Sequence, residues 1–258
     1  MPLGQTHADD AQAHGDIDGD ARVDHIAALS SEATATLGRL PRAATCVGLA
    51  RSGVPAHDTL WNATTAGGHS RRNPPRLTAA APLLVPSAER GGGRVVYESI
   101  FLVSNGVVTC VAPDGTQRWS TSTEASWRAE ASLEGADGEP AAVVPALALL
   151  RVSDDESAAG ALVVVVGERH VCLVSRRGGQ HGCVKLPSAP VAPPTIADFD
   201  GDGMPDIILS SRTSYYGVRV SPSAGSLLQQ LLFGFFALGV ACVAALRSGN
   251  MLHKVAID

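Results

Sequence analysis

Lysine is nearly missing from this chain: only Lys185 and Lys254 occur among 258 residues. Arginine carries almost all the positive charge, and the formal net charge is −5. That balance excludes a general nucleic-acid-binding surface, which needs an excess of cations against phosphate. Aromatic residues make up only 4% of the chain, so a core has to be built from Val, Leu, Ile and Ala. Ala, Gly and Pro are so frequent that alanine is discounted as a helix signal. There is no C-x-x-C pair, which removes a zinc ribbon and a thioredoxin-like redox site. G-x-S-x-G, H-E-x-x-H and phosphate-loop motifs are also missing, and the eight histidines are scattered. Residues 1–10 show no basic start and no apolar run, so no secretory signal is visible. Either the chain carries no export information at its start, or it is the C-terminal part of a longer product. The second is the expectation, because a metal-type loop already begins at Asp16.

What the chain does contain is the stretch Asp198-Phe-Asp-Gly-Asp-Gly-Met-Pro-Asp206. Acidic residues stand at loop positions 1, 3, 5 and 9 (Asp198, Asp200, Asp202 and Asp206). Hard cations such as calcium take about six to eight oxygen ligands, and one short loop can supply most of them. The Met204 carbonyl would fill position 7. A second copy, Asp16-Ile-Asp-Gly-Asp-Ala-Arg-Val-Asp24, offers Asp16, Asp18, Asp20 and Asp24, with the Arg22 carbonyl at position 7. An EF-hand begins in the same way but requires a glutamate at position 12 and flanking helices. Position 12 is Ala27 in one copy and Leu209 in the other. Pro193 and Pro194 before the second loop, and Ile207 and Ile208 after it, favour extended chain. Nine-residue acidic loops joining strands are therefore expected, with Ca²⁺ as the cofactor. The bland alternative is a solvated acidic turn.

The rest of the chain reads as all-β. Residues 45–50 form a short strand, and residues 31–43 an irregular insertion. Residues 95–97, 99–103, 107–111 and 116–119 form a four-strand unit, with Asn105-Gly106 and Asp114-Gly115 as turns. Residues 120–141 hold no clear element. Apolar runs return at 142–152, 161–166, 171–175 and 183–186, and a last strand pair is expected at 207–211 and 215–220. The spacing between the two acidic loops leaves room for about three or four blades of roughly 40–50 residues. Asn62-Ala-Thr64 is an N-glycosylation sequon, modest support for a lumenal or extracellular face.

Residues 227–246 contain no charge. Twenty such residues in a helix span about 30 Å, the thickness of a bilayer core. A single transmembrane helix is expected there, with residues 1–222 outside or in the lumen and residues 247–258 as a cytoplasmic tail. The flanking Arg and Lys residues are nearly balanced, so the acidic loops and the sequon set that orientation. Cys242 lies inside the span, and the four other cysteines allow three connectivities. Cys172 and Cys183, on opposite arms of an expected hairpin, are placed to form a cross-strand disulfide.

The stretch Pro194-Thr-Ile-Ala-Asp-Phe-Asp-Gly-Asp-Gly-Met-Pro-Asp-Ile-Ile208 resembles FG-GAP repeat proteins, whose repeats build integrin-α-type β-propellers; residues 14–26 match more loosely. Tyr215-Tyr-Gly-Val-Arg219, followed by an apolar run, is similar to the end of single-pass algal and plant members. Residues 95–119 are similar to quinoprotein-type propeller repeats. The resemblance implies a partial or incomplete β-propeller followed by one C-terminal membrane helix. It further implies calcium in the Asp-rich loops and a membrane-anchored ectodomain, not an enzyme, that binds an extracellular protein or a glycan. The alternatives are a quinone-dependent or other propeller enzyme and a lectin-like glycan binder. Glu168 and His170 form a weak acid–base candidate in an expected turn.

Overall fold

The computed structural model describes residues 12–31, 45–52, 58–67, 77–91, 94–128, 143–152 and 161–221. Met1–Arg219 forms one compact unit and Val220–Asp258 a second. The expected membrane span at 227–246, the tail and the insertion expected at 31–43 lie almost wholly outside the described residues. Among the described residues no helix is long and apolar enough to cross a membrane.

The described chain is all-β and builds antiparallel sheets in sequence order. The first contains β1 (Gln12–Gly15), β2 (Asp24–Ser31), β3 (Thr45–Ser52) and β4 (Asp58–Gly67). The second contains β5 (Leu83–Gly91), β6 (Arg94–Leu102), β7 (Val107–Val111) and β8 (Gln117–Ser122). The third contains β9 (Ala146–Arg151), β10 (Ala161–Val166), β11 (His170–Ser175) and β12 (Gln180–Lys185). Each of these is a four-stranded meander with its strands in chain order. The fourth contains β13 (Thr195–Ala197), β14 (Asp206–Ser210) and β15 (Tyr215–Val218), three strands among the described residues.

The sheets stack through the two-residue period of their strands. On β6, Ile100 and Leu102 join a core shared with Val163, Val165, Cys172 and Val174 of the third sheet. Phe101, between them, joins Ile17, Ile26, Ala50 and Trp61 of the first. Central strands thus have both faces covered, which explains why β10 reads as a continuous apolar run with Val163–Val166 fully buried. Each such side chain contributes roughly 1.5–3 kcal/mol on burial. The first strands of successive sheets also meet, β1 against β5 and β5 against β9.

One contact repeats from sheet to sheet. Trp61 on β4 lies over Gly115 in the β7–β8 turn, where an added Cβ would come within 2.5 Å of the Trp61 side chain. Trp119 on β8 lies over Gly178 in the β11–β12 turn, where the same atom would come within 2.9 Å. Both glycines have φ of +85°, so the turn and the close approach each require glycine. Trp119 Nε1 donates to the Arg176 carbonyl at 2.8 Å, and Thr121 Oγ1 donates to that of Gly178.

The unit expected over residues 95–119 is corrected at its start. Residues 95–97 and 99–103 do not make two strands; β6 runs through Glu98, and the sheet begins with β5. Glu98 looks like a break because it is charged. It continues the strand because the Arg176 guanidinium, 3.3 Å away, compensates its burial. Pro86 hides β5 from the sequence, but this strand lies at the sheet edge and shifts register beyond Pro86, where proline is tolerated. Residues 120–141 also contain more than expected. Strand β8 reaches Ser122, and the irregular segment after it buries Ala125 and Trp127.

Candidate metal loops

Each acidic loop is the turn of a hairpin, β1 to β2 and β13 to β14. The two turns share their internal hydrogen bonds. Position 1 accepts from positions 4 and 6: Asp16 from the N–H groups of Gly19 (2.8 Å) and Ala21 (2.9 Å), Asp198 from those of Gly201 (2.8 Å) and Gly203 (2.9 Å). Position 3 accepts from position 5, Asp18 from Asp20 N–H at 3.0 Å and Asp200 from Asp202 N–H at 3.2 Å. Position 5 accepts from position 7, Asp20 from Arg22 N–H at 2.7 Å and Asp202 from Met204 N–H at 2.8 Å. Position 9 reaches back to position 2, Asp24 to Ile17 N–H at 2.8 Å and Asp206 to Phe199 N–H at 3.2 Å.

Backbone conformation repeats as well. Gly19 and Gly201 have φ of +82° and +75°, and Ala21 and Gly203 have φ of +69° and +84°. Ala21 is the only non-glycine residue with positive φ among the described residues. An L-residue in this region costs about 1–2 kcal/mol. Two bonds to Asp16, from Gly19 and Ala21 itself, hold it there.

Carboxylate oxygens of Asp16, Asp18 and Asp24 lie within 4.8 Å of one another, as do those of Asp198, Asp200 and Asp206. Asp20 and Asp202 stand outside these triplets, and Arg22 and Met204 contribute the N–H bonds given above. Asp24 and Asp206, the first residues of β2 and β14, are buried. The Asp206 Oδ1 atom is buried without a hydrogen-bond partner. Leaving such an atom unmet costs about 1–3 kcal/mol, more when it is charged. An all-oxygen donor set with an orphaned buried carboxylate oxygen fits a hard cation such as Ca²⁺.

Arg219, which follows β15, reaches the second loop from outside the acidic motif. Its guanidinium lies 3.3 Å from Asp200 and 2.5 Å from Asp202. The Met204 N–H, and then Arg219, hold the Asp202 carboxyl below its ordinary range. Asp202 in turn raises Arg219, with Asp200 adding to the effect. A local motif cannot reveal this partner, because hairpin pairing of β14 with β15 brings it back.

Glu168 and His170 are not paired with each other. Glu168 lies 3.6 Å from Arg128 and 3.9 Å from Arg169, while His170 lies 3.4 Å from Glu124. Glu168 and Arg169 line two open cavities of about 580 and 520 Å³, and His170 lines only the second. The expected disulfide is present, bonding Cys172 to Cys183 directly across the β11–β12 pair.

No protein-family model and no curated protein matches the chain. Among solved structures, the Bacillus licheniformis rhamnogalacturonan lyase PL11 is 13% identical with a TM-score of 0.42, over 78% of this chain and 39% of the lyase. The chain thus corresponds to 39% of that protein's length. BBS1N in complex with ARL6DN, soaked with lead, is 12% identical with a TM-score of 0.31, over 85% of this chain and 84% of that one.

Proposed function

We propose that this chain is a calcium-stabilised, membrane-anchored β-propeller ectodomain of the FG-GAP type, non-enzymatic, that binds an extracellular protein or a glycan. The observation that carries the reading is the pair of acidic loops with matching hydrogen bonds, each closing on a buried position-9 aspartate. In the first loop Asp16, Asp18 and Asp24 would hold the cation; in the second, Asp198, Asp200 and Asp206 would. The ion would supply positive charge that offsets the mutual repulsion of the carboxylates and meets the orphaned Asp206 oxygen. Its role would be structural, fixing each hairpin turn at the edge of its sheet.

The propeller reading is supported by meanders stacked in chain order, by first strands that meet in succession and by the repeated Trp-over-Gly contact. An oxidising compartment is favoured by the Cys172–Cys183 bond. Asn62, the sequon acceptor, is exposed on β4. The membrane anchor rests on the uncharged run at 227–246 alone.

Calorimetric titration of the full chain with calcium tests the metal role. Heat of binding is expected with a dissociation constant of about 10⁻⁴–10⁻³ M, the range of extracellular modules. Calcium at about a hundred times that constant should add roughly 2.7 kcal/mol of stability per site. Joint replacement Asp200→Ala and Asp206→Ala should abolish the second-loop share of both. No calcium heat in the unmutated chain, and no change in melting temperature, would sink the reading.

A further inference from the structure

We infer that Arg219 is a built-in counter-cation of the second acidic loop, competing with a divalent ion for that site. The inference rests on the metal reading proposed above and concerns how the same loop is regulated. The second loop qualifies as a site by more than its acidity, because Asp206, a member of the carboxylate triplet, is buried and its Oδ1 has no hydrogen-bond partner.

Arg219 engages the two exposed carboxylates of that loop. Its Nη1 lies 3.3 Å from Asp200 Oδ2, and its Nη2 donates to Asp202 Oδ2 at 2.5 Å. Asp200 belongs to the triplet, so the guanidinium draws on an oxygen that a metal would use. It also places a fixed positive charge beside the position of a second one. Like charges at such separations repel, which weakens binding of the second one.

The first loop serves as an internal comparison because its backbone geometry is the same. Among the described residues, no guanidinium is paired with Asp18, the equivalent of Asp200. Arg22 approaches only Asp20, at 3.9 Å and from within the loop, with its side chain 74% exposed. Arg219 is thus a cation that the chain beyond β15 delivers to the second loop at the position where Asp18 in the first has none among the described residues. Linkage is reciprocal: if Arg219 weakens metal binding, metal weakens the hold of Arg219 on the loop by the same factor.

The test is calcium calorimetry on the full chain carrying Asp16→Asn, in which only the second loop reports, with and without Arg219→Gln. Arg219 is 63% exposed on its side chain, so removing its charge leaves the packed sheets intact. Arg219→Gln is expected to tighten calcium binding roughly three- to tenfold, the scale of one exposed ion pair together with one repelled charge. Measurable binding that stays unchanged or weakens in Arg219→Gln overturns the competition while leaving the metal reading in place. Absence of calcium heat in both chains overturns the two together.

Discussion

Two buried thiols test the packing of single residues. Burial raises Cys46 from the ordinary 9.0 to about 12. Burial first, and then the Glu98 carboxylate beside it, raises Cys110 to about 12 as well. A thiol raised on folding favours the folded state. Its contribution is fully present below about 9 and is lost as pH climbs toward 12. Unfolding free energy should therefore fall with pH in that window, by about 1.4 kcal/mol per pH unit for each thiol. Denaturant titrations at pH 8, 9.5 and 10.5 would show this, and Cys110→Ala should remove about half of the slope. Iodoacetamide at pH 8 should leave both thiols unmodified until the chain unfolds. Single residues were unevenly legible in the sequence. The position-9 aspartates stood out by spacing, whereas the burial of Trp127 within an irregular polar stretch did not, because no periodic pattern surrounds it.

At the level of the element, hairpin chemistry was the most readable part. Asn105-Gly106 marks its turn, Gly106 has φ of +82°, and Asn105 Oδ1 accepts from the Val107 N–H. The Cys172–Cys183 bond joins residues paired across β11 and β12, separated by 11 positions in sequence. Closing so short a loop removes about 2–3 kcal/mol of unfolded-chain entropy. Joint replacement Cys172→Ala and Cys183→Ala should lower stability by about that amount in urea titrations. A loss below about 0.5 kcal/mol would show that the sheet alone holds this hairpin. Strands β4 and β5 were less readable. In β4 only Trp61 and Thr65 of the described side chains are buried, a sparse alternation, and in β5 proline interrupts the run.

For the whole molecule, the decisive feature is how one sheet holds the next. Trp119 packs on Gly178 and donates to the Arg176 carbonyl, while Arg176 itself pairs with Glu98 of the preceding sheet. Trp119→Ala should cost about 3 kcal/mol or somewhat less, since the ring is only half-buried. If the sheets form one cooperative body, denaturation followed by tryptophan fluorescence and by far-ultraviolet circular dichroism should shift together. Separate transitions would mean that the second and third sheets are joined only loosely.

The amino-acid sequence determined the all-β class, the acidic loops, the glycine turns and the hairpin that carries the disulfide. These depend on interactions within about ten residues, where spacing and backbone preference are enough. Only the tertiary structure decided that Glu98 lies inside a strand, that Trp61 and Trp119 cover glycines of the following sheet, and that Arg219 reaches Asp200 and Asp202. Those pairings join distant segments, and burial and charge compensation become visible only once the sheets are stacked.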